Sequence, residues 1–113
     1  MFAITKNNDG TIDISLTRGD TFLADVVLNT DDGAYEPQEG DVVRFALKKK
    51  YTDETPELIR VIPNDTLELE LYPEDTKGYS LKEKFVYDIE LTDAGGRVQT
   101  FIKGKLSLTE EVY

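Results

Sequence analysis

In the stretch 66–72, TLELELY, Leu67, Leu69 and Leu71 alternate with Glu68 and Glu70. Successive side chains of an extended chain point to opposite faces, so a period of two puts the leucines on one buried face and the glutamates on a wet, acidic one. The same period recurs along most of the chain. TIDISLT sets Ile12, Ile14 and Leu16 against Asp13 and Ser15, and DTFLADVVL sets Phe22, Ala24, Val26 and Leu28 on one face. DVVRFALKK turns Val43, Phe45 and Leu47 inward against Arg44 and Lys48, and ELIRVI is a shorter run of the same kind. KFVYDIELT aligns Phe85, Tyr87, Ile89 and Leu91, and RVQTFIKGKLSL forms the last long strand. No sustained helical period interrupts them, which excludes helix bundles and parallel βαβ arrangements.

The breaks between these runs carry turn chemistry. Arg18-Gly19-Asp20 reads as a structural turn, since Gly19 takes a positive φ at no steric cost and Asp20 can bond its own backbone. The same tripeptide is displayed by integrin ligands, but the strands run up to it on both sides and hold it in a bend. Residues 29–40, NTDDGAYEPQEG, read as a long loop, KKYTDETP as a polar connection, and Pro63-Asn64-Asp65 and Asn7-Asn8-Asp9-Gly10 as turns. In YPEDTKGYS, Pro73 opens a helical turn, Glu74 and Asp75 suit its positive end and Gly78 closes it, so one short helical turn is expected near residues 73–79. Asp93-Ala94-Gly95-Gly96 is a hairpin loop, and Gly104 within the last strand marks a bulge or bend. About seven strands with turns at regular spacing predict an all-β fold, an immunoglobulin-like sandwich of two antiparallel sheets, as a single domain over residues 1–113.

With 39% hydrophobic residues the chain can fill one core, and 23 Asp and Glu against 13 Lys and Arg leave a net charge of −10. That charge disfavours nucleic acid and anionic membrane surfaces as partners. No apolar run approaches the roughly 18 residues that span a bilayer. The opening MFAITKNNDG has neither the basic end nor the apolar stretch of a signal peptide, so synthesis in the cytosol is expected. The absence of Cys and His removes disulfides, thiolate ligands, the residue that titrates near neutrality, and any Ser/His/Asp set.

No enzyme is expected from that inventory. Glu68 and Glu70 share a face and are the remaining acid–base pair, yet two glutamates on a solvated strand face are what an amphipathic strand shows. Asp31, Asp32 and Glu36 crowd one loop, but the spacing lacks the alternating ligands and distant glutamate of a calcium loop, so a solvated turn is expected and no metal or cofactor. Candidate surface contacts are Tyr35 and Tyr51, in loops, with Asp31 and Asp32; Tyr72, Tyr79, Tyr87 and Tyr113 are weaker candidates, and Tyr87 belongs to the core.

Three segments, LTRGDTFLADVVL, GDVVRFALKK and YPEDTKGYSLKEKFVYDIELTDAGGRVQTFIKGKLSL, follow one another in an order that resembles a family. This is the family of small β-sandwich structural proteins of phages and prophages of Gram-positive bacteria, similar to the N-terminal domain of the siphophage baseplate upper protein. In it, a polar-Gly-Asp-Thr start leads into a strand and a Gly-Asp precedes the next. An aromatic-Asp-Ile strand then passes through a Gly turn to a Gly-Lys-Leu ending. The resemblance implies a non-catalytic virion module of tail or baseplate type, assembled in the bacterial cytoplasm. Its partners would be other virion or prophage structural proteins and copies of itself as a homo-oligomer. LELYPEDT is also similar to a corner of immunoglobulin variable domains, which reflects shared turn chemistry. The alternative is a carbohydrate- or cell-surface-binding module that uses residues 29–40 and Tyr35, and a third reading is a small regulatory protein of a mobile element.

Overall fold

The computed structural model describes residues 2–110; Tyr113, a candidate contact, lies outside them. In chain order the elements are β1 (Phe2–Lys6), β2 (Ile12–Thr17), β3 (Phe22–Asp25), β4 (Asn29–Thr30), β5 (Gly33–Ala34), β6 (Val42–Lys48), β7 (Leu58–Ile62), β8 (Glu68–Leu71), α1 (Pro73–Lys77), β9 (Lys84–Thr92) and β10 (Val98–Thr109). Six strands form one sheet in the order β1-β2-β10-β9-β6-β7, while β3 pairs with β8 and β4 with β5.

Strand β9 occupies the middle of the large sheet because its alternation is complete. Phe85, Tyr87, Ile89 and Leu91 are buried on one face, in register with Val43, Phe45 and Leu47 of β6 and with Leu106 of β10. The β3–β8 pair adds Phe22, Leu69 and Leu71 to the same core. Burying each of these large apolar side chains is worth about 1.5–3 kcal/mol. The outer face of β9 carries Asp88 and Glu90, opposite Lys103 and Arg44 on the flanking strands, so the exposed side is laced with opposite charges.

The fold is mostly β, with one short helix where the Pro73 signal places it. Tyr72 donates its N–H to Asp75 Oδ2 at 2.7 Å, satisfying a group at the helix start, and Gly78 follows the last turn. Other expectations change. The large sheet is mixed, since β2 and β10 pair in parallel with Leu106 beside Ile14 and Leu108 beside Leu16. These strands lie far apart in the chain, so no tight turn forces them antiparallel. The residues before Asn7 form β1, paired with β2 through a turn in which Gly10 takes φ 89°. Its two inward side chains, Phe2 and Ile4, are too short a pattern to mark a strand. The segment 29–40 contains the β4–β5 hairpin. Strand β3 stops at Asp25, and Leu67 stands outside β8 at φ 49°, its N–H given to the Pro63 carbonyl at 2.8 Å. The bulge in β10 falls between Thr100 and Ile102, three residues before Gly104. Gly104 meets another demand: the Ile12 carbonyl lies where a Cβ would stand.

Candidate functional site

The Arg18-Gly19-Asp20 tripeptide sits in a turn closed by Asp20 N–H on the Thr17 carbonyl at 3.1 Å, with Gly19 at φ 84°. Gly19 is buried beneath α1, where its N–H donates to Thr76 Oγ1 at 2.8 Å. Arg18 donates Nη1 to the Tyr79 carbonyl at 3.0 Å and its backbone N–H to Thr109. The segment joins β2, β10 and α1, and it does not stand on a loop tip.

The candidate contacts separate into different places. Tyr35 does not project as a loop contact. It is half-buried, its ring stacks on Phe101 at 6.2 Å, and its hydroxyl donates to Asp41 Oδ2 at 2.6 Å. That bond and the Gln38 N–H hold the buried Asp41 carboxyl below the usual carboxylate range, and the bond to Asp41 pushes the Tyr35 hydroxyl up. Asp31 and Asp32 form the exposed tip of the β4–β5 hairpin. Tyr51 is half exposed, and its hydroxyl reaches across the outer face to the Gly104 carbonyl at 3.0 Å. Tyr87 is in the core and donates to the Ile12 carbonyl at 2.5 Å; burial pushes its hydroxyl pKa up. Tyr79 packs edge-on against Phe85, and Tyr72 lies under Arg60 with its hydroxyl on Glu70.

Glu68 and Glu70 face outward on β8, beside Asp25 of β3. The Glu70 carboxylate shares a hydrogen bond with Glu68 and holds its pKa above the ordinary value, as crowded like charges do. Among the described residues no group of three His, Cys, Asp or Glu is placed to hold a metal ion. No helix among the described residues is long and apolar enough to cross a membrane.

Two clefts remain. On the outer face, a shallow one of about 600 Å³ lies between the β1–β2 turn and β10, lined by Asp9, Thr11, Tyr51, Asp88, Thr100 and Lys103. Burial on the sheet face raises the Asp88 pKa, with Lys48 opposing. The other, of about 180 Å³, opens between β1–β2 and β3 and is lined by Ile4, Ile14, Phe22, Ala24, Val26 and Val27 among others.

The sheet edges give the molecule its most unusual surface. Among the described residues, strands β1 and β7 each have one neighbour, and β3 is paired on its β8 side alone. Large apolar side chains are exposed there: Phe2 (43%) and Ile4 on β1, Ile59 and Val61 (57%) on β7, Leu23 on β3 and Val27 just after it. Sequence reasoning missed Phe2 and Ile4 because β1 was not read as a strand, and Val27 because it was placed within a continuous strand. No family model, curated protein or solved structure matches the chain.

Proposed function

We propose that this chain is a non-catalytic structural module of a phage or prophage particle, of tail or baseplate type, built as an immunoglobulin-like sandwich and acting through protein–protein assembly. The observation that carries the assembly reading is the coincidence of unpaired strand edges with exposed apolar side chains on β1, β3 and β7. Monomeric proteins blunt such edges with charge, proline or cover, because an open ladder pairs with other chains. The phage context rests on the order of the LTRGDTFLADVVL, GDVVRFALKK and YPEDTKGYSLKEKFVYDIELT segments. In this role neighbours bury the edges, and symmetry multiplies weak contacts into a stable ring or sheath. A net charge of −10 keeps the free subunit soluble until it is placed.

Mass spectrometry of particles purified after prophage induction in the source strain tests this reading. Stoichiometric copies per particle are expected, and absence from clean particles refutes it.

Tyr51 favours a second reading, a carbohydrate-binding module. Its half-exposed ring, held by the Gly104 carbonyl, stands beside Asp88, Thr100 and Lys103, a combination suited to stacking on a sugar and bonding its hydroxyls. A glycan array probed with the wild-type chain and Tyr51→Ala separates the two: binding lost in the variant supports the sugar reading, and a blank array removes it.

A further inference from the structure

The sheets are unequal, one of six strands beside the β3–β8 and β4–β5 pairs, and β3–β8 shares its core with the large sheet. Strand β3 is an edge of its pair and β1 an edge of the large sheet, and the two edges meet where Phe22 touches Phe2. In the β1–β2 register, Phe2 lies opposite Leu16 and Ile4 opposite Ile14, so both point to the core side. Leu16 and Ile14 are buried, yet Phe2 and Ile4 are 43% and 45% exposed. Phe2 meets the ring of Phe22 edge-on at 4.7 Å, and among the described residues the row is otherwise left nearly half exposed. The cleft of about 180 Å³ lies along this row, between it and Ala24, Val26 and Val27. An apolar cavity of about 150 Å³ accommodates a benzene-sized group, so this one admits a leucine- or phenylalanine-sized side chain.

The backbone of β3 is oriented to hold such an occupant. Val26 N–H donates to the Leu67 carbonyl at 2.8 Å, which sets the phase of the antiparallel ladder: Phe22 and Ala24, the even residues of β3, direct their backbone groups to the β8 side as Val26 does its N–H. Leu23 and Asp25 therefore direct their N–H and C=O groups to the other side, where no strand lies among the described residues. A strand added there pairs with β3 and covers Phe2 and Ile4, with its alternate side chains in the cleft.

Charge narrows the occupant. The outward face of the β3–β8 pair carries Asp25, Glu68 and Glu70, crowded enough that Glu70 hinders ionisation of Glu68, while Lys6 stands on the inward row at the cleft's end. A second copy of this chain, itself at −10, brings more negative charge to that face. A strand with outward lysine or arginine neutralises it.

We propose that β3 and the cleft beside it form a strand-acceptor site, which takes an extended segment of a partner protein with apolar side chains facing inward and basic ones outward. The site rests on the assembly reading and gives it a surface and a partner chemistry. It is β-augmentation, in which backbone bonds supply affinity and alternate side-chain pockets supply specificity.

The test uses the full chain, 15N-labelled, with a fluorescein-tagged seven-residue peptide that alternates lysine with valine and leucine. A second peptide carries glutamate in place of lysine. Saturable binding of the basic peptide is expected, with amide shifts at Leu23, Asp25 and Val27, and at least about tenfold weaker binding of the acidic peptide. Val27→Lys, at a half-exposed position that tolerates the change, should weaken binding by about tenfold or more, while Val61→Lys on the β7 edge leaves it unchanged. No binding, equal binding of both peptides, or shifts centred on Ile59 and Val61 overturns the site. Sedimentation that shows self-association abolished by Val27→Lys also overturns it, by giving the edge to a second copy. If the chain is absent from particles but the peptide result holds, the virion reading falls and the site stands. If the chain is present and the peptide fails, the site falls alone.

Discussion

Gly104→Ala should be among the most damaging single-methyl changes in this protein. Gly104 faces Tyr87 in the β9–β10 register, and an ideal Cβ at position 104 lies 1.9 Å from the Ile12 carbonyl oxygen and 2.6 Å from its carbon. A carbon-to-oxygen contact settles at about 3.3 Å or more, so the β2 backbone must retreat by about 1.4 Å. That carbonyl accepts the Tyr87 hydroxyl at 2.5 Å, across the bare backbone of Gly104. Moving it away from Gly104 also moves it away from Tyr87, beyond the roughly 3 Å limit of an O–H···O bond. Overpacking costs about 1–3 kcal/mol, and a buried hydroxyl left without its partner a further 1–3 kcal/mol or so. The central expectation is about 4 kcal/mol, against a total stability on the order of 5–15 kcal/mol.

For 113 residues an unfolding entropy of about 2.1 cal/mol/K per residue gives about 0.24 kcal/mol/K, so the melting temperature should fall by about 17 °C. Urea and thermal unfolding followed by circular dichroism, on Gly104→Ala, Tyr87→Phe and the double variant, provide the assay. Tyr87→Phe alone should cost about 1–2 kcal/mol. In the double variant its added cost should fall near zero, because the displaced carbonyl has already lost the hydroxyl. A Gly104→Ala cost under about 1 kcal/mol, or full additivity in the cycle, refutes the argument.

Thr76→Val keeps the buried shape but removes the acceptor of the Gly19 N–H, and should lower stability by about 1–2 kcal/mol in urea titration. Asp20→Glu, scored for cell attachment and melting temperature, should change stability without revealing attachment. Asp75→Ala removes both the Arg60 ion pair at 2.6 Å and the bond to the Tyr72 N–H; with Arg60 partly exposed, a loss of about 1–2 kcal/mol is expected. Asp41, whose folded pKa is depressed chiefly by the Tyr35 hydroxyl, contributes stability that is present above its unfolded pKa of about 4 and lost as pH falls through the folded value. Tyr35→Phe should therefore shift acid unfolding, followed by circular dichroism, to higher pH. Asp88 works in the opposite sense, since burial raises its pKa: its contribution is present below the unfolded value and lost as pH rises through the folded one. Asp88→Asn should raise the melting temperature at pH 7 and leave it nearly unchanged at pH 3.

How much of this was legible in the sequence depends on the separation over which each feature is decided. The inward residues of β6 and β9 were legible because their alternation is local and complete: Val43, Phe45, Leu47, Phe85, Tyr87, Ile89 and Leu91 are all buried. The helical turn was legible for the same reason, with Pro73, Glu74 and Gly78 each acting on its neighbours. The parallel pairing of β2 with β10 was not, because it is set by contacts between residues such as Ile14 and Leu106 that no turn connects. Gly104 shows the boundary. A glycine inside a strand signals that the backbone needs something there, and the sequence supports a bulge as readily as a close approach. Only the arrival of Ile12 and Tyr87 from elsewhere in the chain decides between them. The same limit hid the open edge at β3. Its residues alternate like those of any half-buried strand, and an edge is defined by a neighbour that is absent, which local periodicity cannot express. The proposed strand-acceptor site thus depends on which strands pair with which, a six-stranded sheet beside the separate β3–β8 pair, and on no single stretch of residues.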